Sequence, residues 1–230
     1  LASGIAPASF VVVDPYAGGL PAGVGHHANA VAAERHFQIV LLAIKPQMIA
    51  ELAGDIEPLL APGALVISIL AGTRIDTLEA SFPGRTVLRL MPNLAASLGK
   101  SPLGLFAATD IDKAGVGRLL QPIGTTYWLA AEEQMDAVTA LAGSGPAFVY
   151  RFIDALAKAG ESLGLDPEQS LGLARSMVQG AAELATKSDA DPQELARRVT
   201  SPGGTTAAGL TVLDDGDALA KLVEATLTAA

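Results

Sequence analysis

Short, largely apolar runs rich in β-branched residues, each stopped by aspartate, lysine-proline, glycine or proline, fill the first half of this chain and then cease. Residues 10–13 (Phe-Val-Val-Val) end at Asp14-Pro15, residues 38–44 at Lys45-Pro46, residues 64–70 at Ala71-Gly72, and residues 86–91 at Pro92-Asn93. Runs without polar alternation suit strands covered on both faces of a parallel sheet. Helical periodicity fills the gaps over residues 47–60 and 74–82, and the alternation predicts βαβ units wound into a sheet with helices on both sides. A further strand is expected over residues 103–107, a helix over 113–120 and a strand over 126–129.

After residue 130 the strand pattern is gone. Phe148, Phe152, Ile153 and Leu156 recur at helical spacing within residues 145–163. Asp166-Pro167 and Asp191-Pro192 each pair a capping residue with proline at the first helical position, with Gln169 and Glu194 three residues after the cap. Helices near residues 206–213 and 217–227 complete an all-helical second half. Gly160, Gly172, Gly180, Ala181 and Ala182 would let helices approach closely. The predicted division is a dinucleotide-fold domain over residues 1–131 and an all-α domain over 132–230 that would close a substrate cleft, oligomerise, or do both. Residues 17–25, rich in glycine and proline, are the one segment with no expected structure.

Composition narrows the function. The chain has 230 residues, a net charge of −9, 50% hydrophobic residues but only 4% aromatic ones, and no cysteine. Packing must therefore rest on Ala, Leu, Val and Ile. No basic block is present to neutralise phosphates, so a nucleic-acid partner is not expected. The apolar runs are strand-length and too short to span a bilayer, and no basic leader opens the chain. Without cysteine there is no disulfide, thiolate nucleophile or cysteine-ligated zinc. The expectation is a soluble, cytoplasmic protein. His26, His27 and His36 lack companions for a ligand set, so no metal is expected, and His26-His27 is expected in a loop. Of the adjacent Glu132 and Glu133, side chains diverge, and a solvated helix start is expected there.

Two places suggest ligand chemistry. Open α/β sheets bind ligands beyond the carboxyl ends of their strands, where Asp14, Lys45-Pro46, Ala71-Gly72 and Asn93 fall. Asp14 is placed to accept from ribose hydroxyls and would repel a 2′-phosphate, although an Asp-Pro turn without a ligand is the equal alternative. Lys45 offers a positive charge, and Asn93 an amide able to orient a carboxamide. The second place is Ser201-Pro202-Gly203-Gly204-Thr205-Thr206. Two glycines allow backbone N–H groups to turn toward a ligand, and Ser201 before Pro202 is the expected N-cap, so that a helix N-terminus would face the same point. That combination suits a small anion. Arg197-Arg198 either adds positive potential there or simply complements a helix C-terminus.

Five motifs occur in order: Ala43-Ile44-Lys45-Pro46-Gln47, Ser68-Ile69-Leu70-Ala71-Gly72, Arg89-Leu90-Met91-Pro92-Asn93, residues 138–148 (Val-Thr-Ala-Leu-Ala-Gly-Ser-Gly-Pro-Ala-Phe) and residues 199–206 (Val-Thr-Ser-Pro-Gly-Gly-Thr-Thr). Together they resemble pyrroline-5-carboxylate reductase, over nearly the whole chain. The resemblance implies a Rossmann-type doubly wound sheet followed by an α-helical dimerisation domain. It implies hydride transfer from NADPH or NADH to the C=N carbon of 1-pyrroline-5-carboxylate, giving L-proline. In that pattern Ser201, Gly203, Gly204, Thr205 and Thr206 bind the substrate carboxylate, with the Thr206 hydroxyl toward the ring nitrogen. Ala43, Ile44, Lys45, Pro46, Ala71, Gly72 and Asn93 match coenzyme contacts, and Gly143 and Ser144 a hinge near the nicotinamide. A homodimer or larger homo-oligomer is also implied.

The same pattern implies a first strand and a Gly-x-Gly-x-x-Gly turn, which these residues do not contain. Leu1-Ala2-Ser3-Gly4-Ile5 reads as the tail of the helix that would follow, so both features are expected ahead of residue 1. Two other functions compete. A non-catalytic nucleotide-binding or regulatory module would explain the missing turn but not a second anion site. A related imine or β-hydroxyacid reductase would call for a lysine on the first helix after residue 145, where Lys158 lies more than three turns in.

Overall fold

The computed structural model describes residues 4–33 and 36–230. It divides into two compact units, residues 1–143 and 144–230. The helix tail expected over Leu1 to Ser3 lies outside the described residues; Gly4, its expected end, has φ +79°.

In the first unit, β1 (Val11–Val13) pairs in parallel with the short β2 (Gly25–His27). A five-stranded sheet follows in the order β3 (Phe37–Leu42), β4 (Leu60–Ser68), β5 (Thr86–Met91), β6 (Ser101–Phe106) and β7 (Gly124–Trp128). The helices α1 (Ile49–Ile56), α2 (Ile75–Ser81) and α3 (Lys113–Leu120) connect them. Side-chain alternation along the strands divides the apolar residues between two faces. Val66 and Val87 join Ile49, Leu78 and Phe82 of α1, α2 and the residue after it, whereas Ile67, Leu88, Leu103 and Leu105 join Val116 and Leu120 of α3. The doubly wound α/β architecture is thus present, with a core on each side of the sheet.

Four local expectations are corrected. First, β5 and β6 run antiparallel. Their connection, residues 92–100, holds only a single-turn 3-10 helix (Leu94–Leu98), too short for the crossover that parallel neighbours need. Second, β3 is not covered on both faces: Ile39 is 44% and Leu41 55% exposed. Among the described residues β3 pairs with β4 alone, as the outer strand of its sheet. Third, β4 begins at Leu60, within the expected helix, because the chain turns extended before Pro62-Gly63 and the register against β3 shifts there. Fourth, His26 and His27 lie in β2 rather than in a loop; three residues, two of them polar, carry no detectable strand pattern.

The second unit opens with α5 (Gly145–Ser162), after a short α4 (Gln134–Val138) and a π-helical turn (Thr139–Gly143) that close the first. Then come α6 (Pro167–Lys187), α7 (Pro192–Arg198), α8 (Thr205–Asp214) and α9 (Ala218–Thr228). Asp166 caps α6 by accepting from the Glu168 and Gln169 N–H groups, and Asp191 caps α7 by accepting from that of Glu194. At the end of α5, the Leu165 N–H returns to the Gly160 carbonyl with Gly164 left-handed at φ +98°, so the chain reverses into α6. Of the small residues expected to allow close approach, Gly160 does so, lying against Ser170; nothing stands within 4 Å of the Cβ position of Gly172 or Gly180.

Candidate functional site

The sequence-predicted residues form one group at the strand ends of the first unit and another at the start of α8 in the second. Asp14 closes β1. Its Oδ1 accepts from the Tyr16 N–H at 2.7 Å and its carbonyl lies 2.8 Å from His26 Nε2, so an Asp-Pro turn forms, and Oδ2 has no partner among the described residues. Ala43 and Ile44 follow β3, and Lys45 and Pro46 open a 3-10 turn (Pro46–Met48). Lys45 is exposed, and its ammonium has no ion-pair partner among the described residues.

Beyond β4, the Thr73 N–H donates to the Leu70 carbonyl at 3.3 Å across Ala71-Gly72, and Gly72 has φ +71°. That conformation favours glycine at the third position of the turn, and nothing lies within 4 Å of where a Cβ would be. The Ala71-Gly72 backbone is therefore free for close approach. Asn93 follows β5 and spends both ends of its amide internally. Its Oδ1 accepts from the Ala95 N–H at 2.9 Å, and its Nδ2 donates to the Ala142 carbonyl at 2.9 Å. Asn93 thereby ties the end of β5 to the π-helical turn, whose last residue, Gly143, packs beside Met91. Ser144 begins the second unit without making a side-chain cap.

Glu132 differs from its expected role. It is 7% exposed, whereas the side chain of Glu133 is 72% exposed. Its Oε1 accepts from the Ile75 N–H at 2.6 Å and from Arg89 Nη1 at 2.7 Å, and its Oε2 lies 3.0 Å from Arg74 Nη2. A carboxylate removed from water needs such partners to remain charged. The arrangement had a sequence signal that went unused: Arg89 stands inside an apolar strand and requires a buried acceptor.

At the second group, α8 does not begin at Ser201. Residues 201–204 form a turn closed by the Gly204 N–H donating to the Ser201 carbonyl at 3.0 Å, with Pro202 and Gly203 in the middle and Gly203 at φ +70°. A proline followed by a left-handed glycine is a type II turn, which holds the chain out of helix until Gly204, the actual N-cap. No side chain caps α8, and its first helical bond runs from the Ala208 N–H to the Gly204 carbonyl. The N–H groups of Thr205, Thr206 and Ala207 are left pointing out of the helix end. Both threonines are exposed, and neither hydroxyl has a partner among the described residues. Free donors, two hydroxyls and the positive end of a ten-residue helix converge on one small region.

The neighbouring candidates are occupied. Arg197 and Arg198 both pair with Glu194 of their own helix, at 2.6 and 2.9 Å. Lys158 pairs with Asp154 at 2.8 Å on the exposed side of α5.

A doubly wound sheet with open turns at its strand ends, followed in sequence by helices one of which begins uncapped, defines a nucleotide-binding type of α/β fold with an all-helical second half. Residues 132–230 match the family model for pyrroline-5-carboxylate reductase dimerisation. The chain is 40% identical over 211 residues to pyrroline-5-carboxylate reductase of Pseudomonas aeruginosa, covering 90% of this chain and 76% of that protein. It is 42% identical over 184 residues to pyrroline-5-carboxylate reductase 2 of Bacillus subtilis, covering 78% and 66%. The solved pyrroline-5-carboxylate reductase of Coxiella burnetii superposes with TM-score 0.83 at 32% identity, covering 90% of this chain and 78% of that one. The Plasmodium falciparum pyrroline carboxylate reductase, solved with NADP bound, gives TM-score 0.83 at 29% identity, covering 99% and 87%. This chain belongs to the pyrroline-5-carboxylate reductase family, NAD(P)H-dependent enzymes that convert 1-pyrroline-5-carboxylate to proline. It spans about two thirds of the length of the Bacillus relative and about three quarters of the Pseudomonas one. Its helical half carries the family's dimerisation region, and no helix among the described residues is long and apolar enough to cross a membrane.

Proposed function

We propose that this chain reduces 1-pyrroline-5-carboxylate to L-proline at the expense of NADH or NADPH. The observation that carries the proposal is the start of α8, where a left-handed Gly203 and an uncapped Gly204 leave three backbone donors and two hydroxyls facing outward. A carboxylate is the ligand such a cradle fits. The Thr205 and Thr206 N–H groups hold that carboxylate, and Ser201, Gly203 and Gly204 line it through the turn that presents them. The Thr206 hydroxyl then lies toward the ring nitrogen.

A reduced nicotinamide, when bound, supplies the hydride. The protein's own task is to fix the ring by its carboxylate and to stabilise the amine that develops at nitrogen. A threonine hydroxyl is too weak an acid to protonate the imine, so Thr206 orients it while the proton comes with the substrate or from water. No histidine or cysteine is needed.

The strand-end residues fit a coenzyme. The open Ala71-Gly72 turn admits close approach, and Lys45 is a cation with no ion-pair partner among the described residues. Asp14 keeps one carboxylate oxygen for a ribose hydroxyl, which favours NADH over NADPH. Ala43, Ile44, Pro46, Gly143 and Ser144 complete this set, with Asn93 acting chiefly through the ties it makes to Ala142 and Ala95. Residues 1–131 serve the coenzyme, and residues 132–230 serve the substrate and a homodimer or larger assembly. The absence of cysteine fits a reducing, cytoplasmic setting.

The test is oxidation of NADH and of NADPH by this chain, with and without added pyrroline-5-carboxylate. Substrate-dependent turnover, faster with NADH, is the expected result. Turnover that ignores the substrate, or none with either coenzyme, would overturn the proposal.

A further inference from the structure

Glu132 stands where three segments of the first unit meet, and each of its partners is a few residues from a strand end. Ile75 opens α2, just after the Ala71-Gly72 turn that follows β4. Arg89 lies in β5, shortly before Met91 and Asn93. Glu132 itself leads into α4 and the π-helical turn that ends at Gly143. At the far end of that stretch, Asn93 Nδ2 donates to the Ala142 carbonyl at 2.9 Å. The segment from residue 132 to residue 142 is therefore pinned to β5 and its following loop at both ends. Glu132 also reaches the start of α2, through Ile75 and Arg74, and Glu133 lies 3.6 Å from the same Arg74.

A carboxylate needed only to neutralise Arg89 would be satisfied by that one partner. Here the two oxygens accept hydrogen bonds from Ile75 and Arg89 and form an ion pair with Arg74, from two other segments, although Arg74 is half exposed and could remain in water. We infer that Glu132 is a positioning residue for the coenzyme site. It holds the Ala71-Gly72 turn, the end of β5 and the π-helical turn in one fixed arrangement. π-Helical turns recur at functional sites because they re-aim backbone groups, and such a turn keeps its aim only if both flanks are held. The inference rests on the assignment of Ala71, Gly72, Asn93 and Gly143 to the coenzyme.

The experiment uses the full chain with two substitutions, Glu132→Gln and Arg74→Gln. Glu132→Gln keeps the side-chain shape but turns one acceptor into a donor that faces arginine. Arg74→Gln removes the exposed partner, together with its contacts to Glu133 and Asp76, and leaves the buried Arg89 pair. Expected for Glu132→Gln is a rise in the coenzyme KM of about tenfold or more, with the pyrroline-5-carboxylate KM changed by less than about twofold. Faster amide exchange over residues 71–75 and 139–143 should accompany it. Arg74→Gln should shift the coenzyme KM in the same direction by about two- to threefold, at unchanged Tm.

Equal changes in both KM values, or a lowered Tm with an unchanged coenzyme KM, would overturn the inference. If Glu132→Gln does not fold, Arg74→Gln decides, and a coenzyme KM equal to the parent's overturns it. Should the parent bind coenzyme but fail to reduce pyrroline-5-carboxylate, the substrate assignment falls by itself. The coenzyme Kd of the same variants, from titration of NADH and NADPH fluorescence, then decides in the same way. A parent that binds neither coenzyme overturns the inference outright.

Discussion

Ser170 lies so close to Gly160 that its Oγ occupies the space a Cβ on residue 160 would need, and that hydroxyl donates to the Ala157 carbonyl at 2.6 Å. The contact sets how near α5 and α6 come, and both Ala157 and Ser170 are buried beside it. Gly160→Ala gains helix propensity but forces the two helices apart, so a net loss of about 1–3 kcal/mol is expected in urea unfolding. Adding Ser170→Ala should recover part of that loss. A Gly160→Ala variant as stable as the parent would show that the helices separate freely.

Arg89 and Glu132 make a buried pair at 2.7 Å. Removing Glu132 leaves Arg89 away from water without its carboxylate, whereas removing both does not. Glu132→Leu should cost about 3–5 kcal/mol, and Arg89→Leu with Glu132→Leu distinctly less than the sum of the two single changes. A double-mutant cycle in denaturant measures the difference.

Thr206 is exposed and its hydroxyl has no partner among the described residues, so Thr206→Ala should leave Tm unchanged. Turnover should fall roughly tenfold to a thousandfold, as for the loss of one transition-state hydrogen bond. An unchanged kcat would take Thr206 out of the mechanism.

Gly203 holds φ +70° in the turn before α8. A Cβ would meet nothing within 4 Å, so Gly203→Ala tests backbone strain alone. About 1–2 kcal/mol is expected against the left-handed conformation. The strain would relax by reshaping the turn, which should raise the pyrroline-5-carboxylate KM while the coenzyme KM stays as it was.

Two partly exposed carboxylates carry a pH signature. The Lys158 hydrogen bond holds Asp154 below its ordinary carboxylate value, and the Arg197 and Arg198 hydrogen bonds do the same for Glu194. A depressed folded-state pKa means the stabilisation is present above the unfolded value and is lost as pH falls through the folded one. NMR titration should place both groups low, with Lys158→Ala returning Asp154 toward its usual value. Because both pairs are partly exposed, the low values should rise in high salt.

Much of the fold was legible because local pattern and tertiary burial agree. The run at residues 86–91 coincides with β5 and the helix at 113–120 with α3, since each is apolar on the faces it buries. Asp166 and Asp191 marked helix starts because a capping carboxylate acts within its own turn. The exceptions share a cause. Nothing within residues 92–100 announces a strand reversal except their small number, and β2 is too short for any period to register. Ser201 looked like a cap by residue type, yet the left-handed Gly203 two residues later postpones the helix to Gly204.

What the sequence determined by itself was most of what neighbours along the chain set: which longer stretches extend or coil, the Asp166 and Asp191 caps, and the ordered motifs that mark the family. Only the tertiary structure decided what distant residues do to one another. Glu132 and Glu133 are adjacent and chemically identical, yet one is buried against Arg89 while the other stays in solvent. Asn93 offers an amide, and its engagement by Ala142 follows from where the π-helical turn comes to rest. Burial and pairing depend on which segments meet in space, and a charge in low-dielectric surroundings takes its role from the partner it finds there.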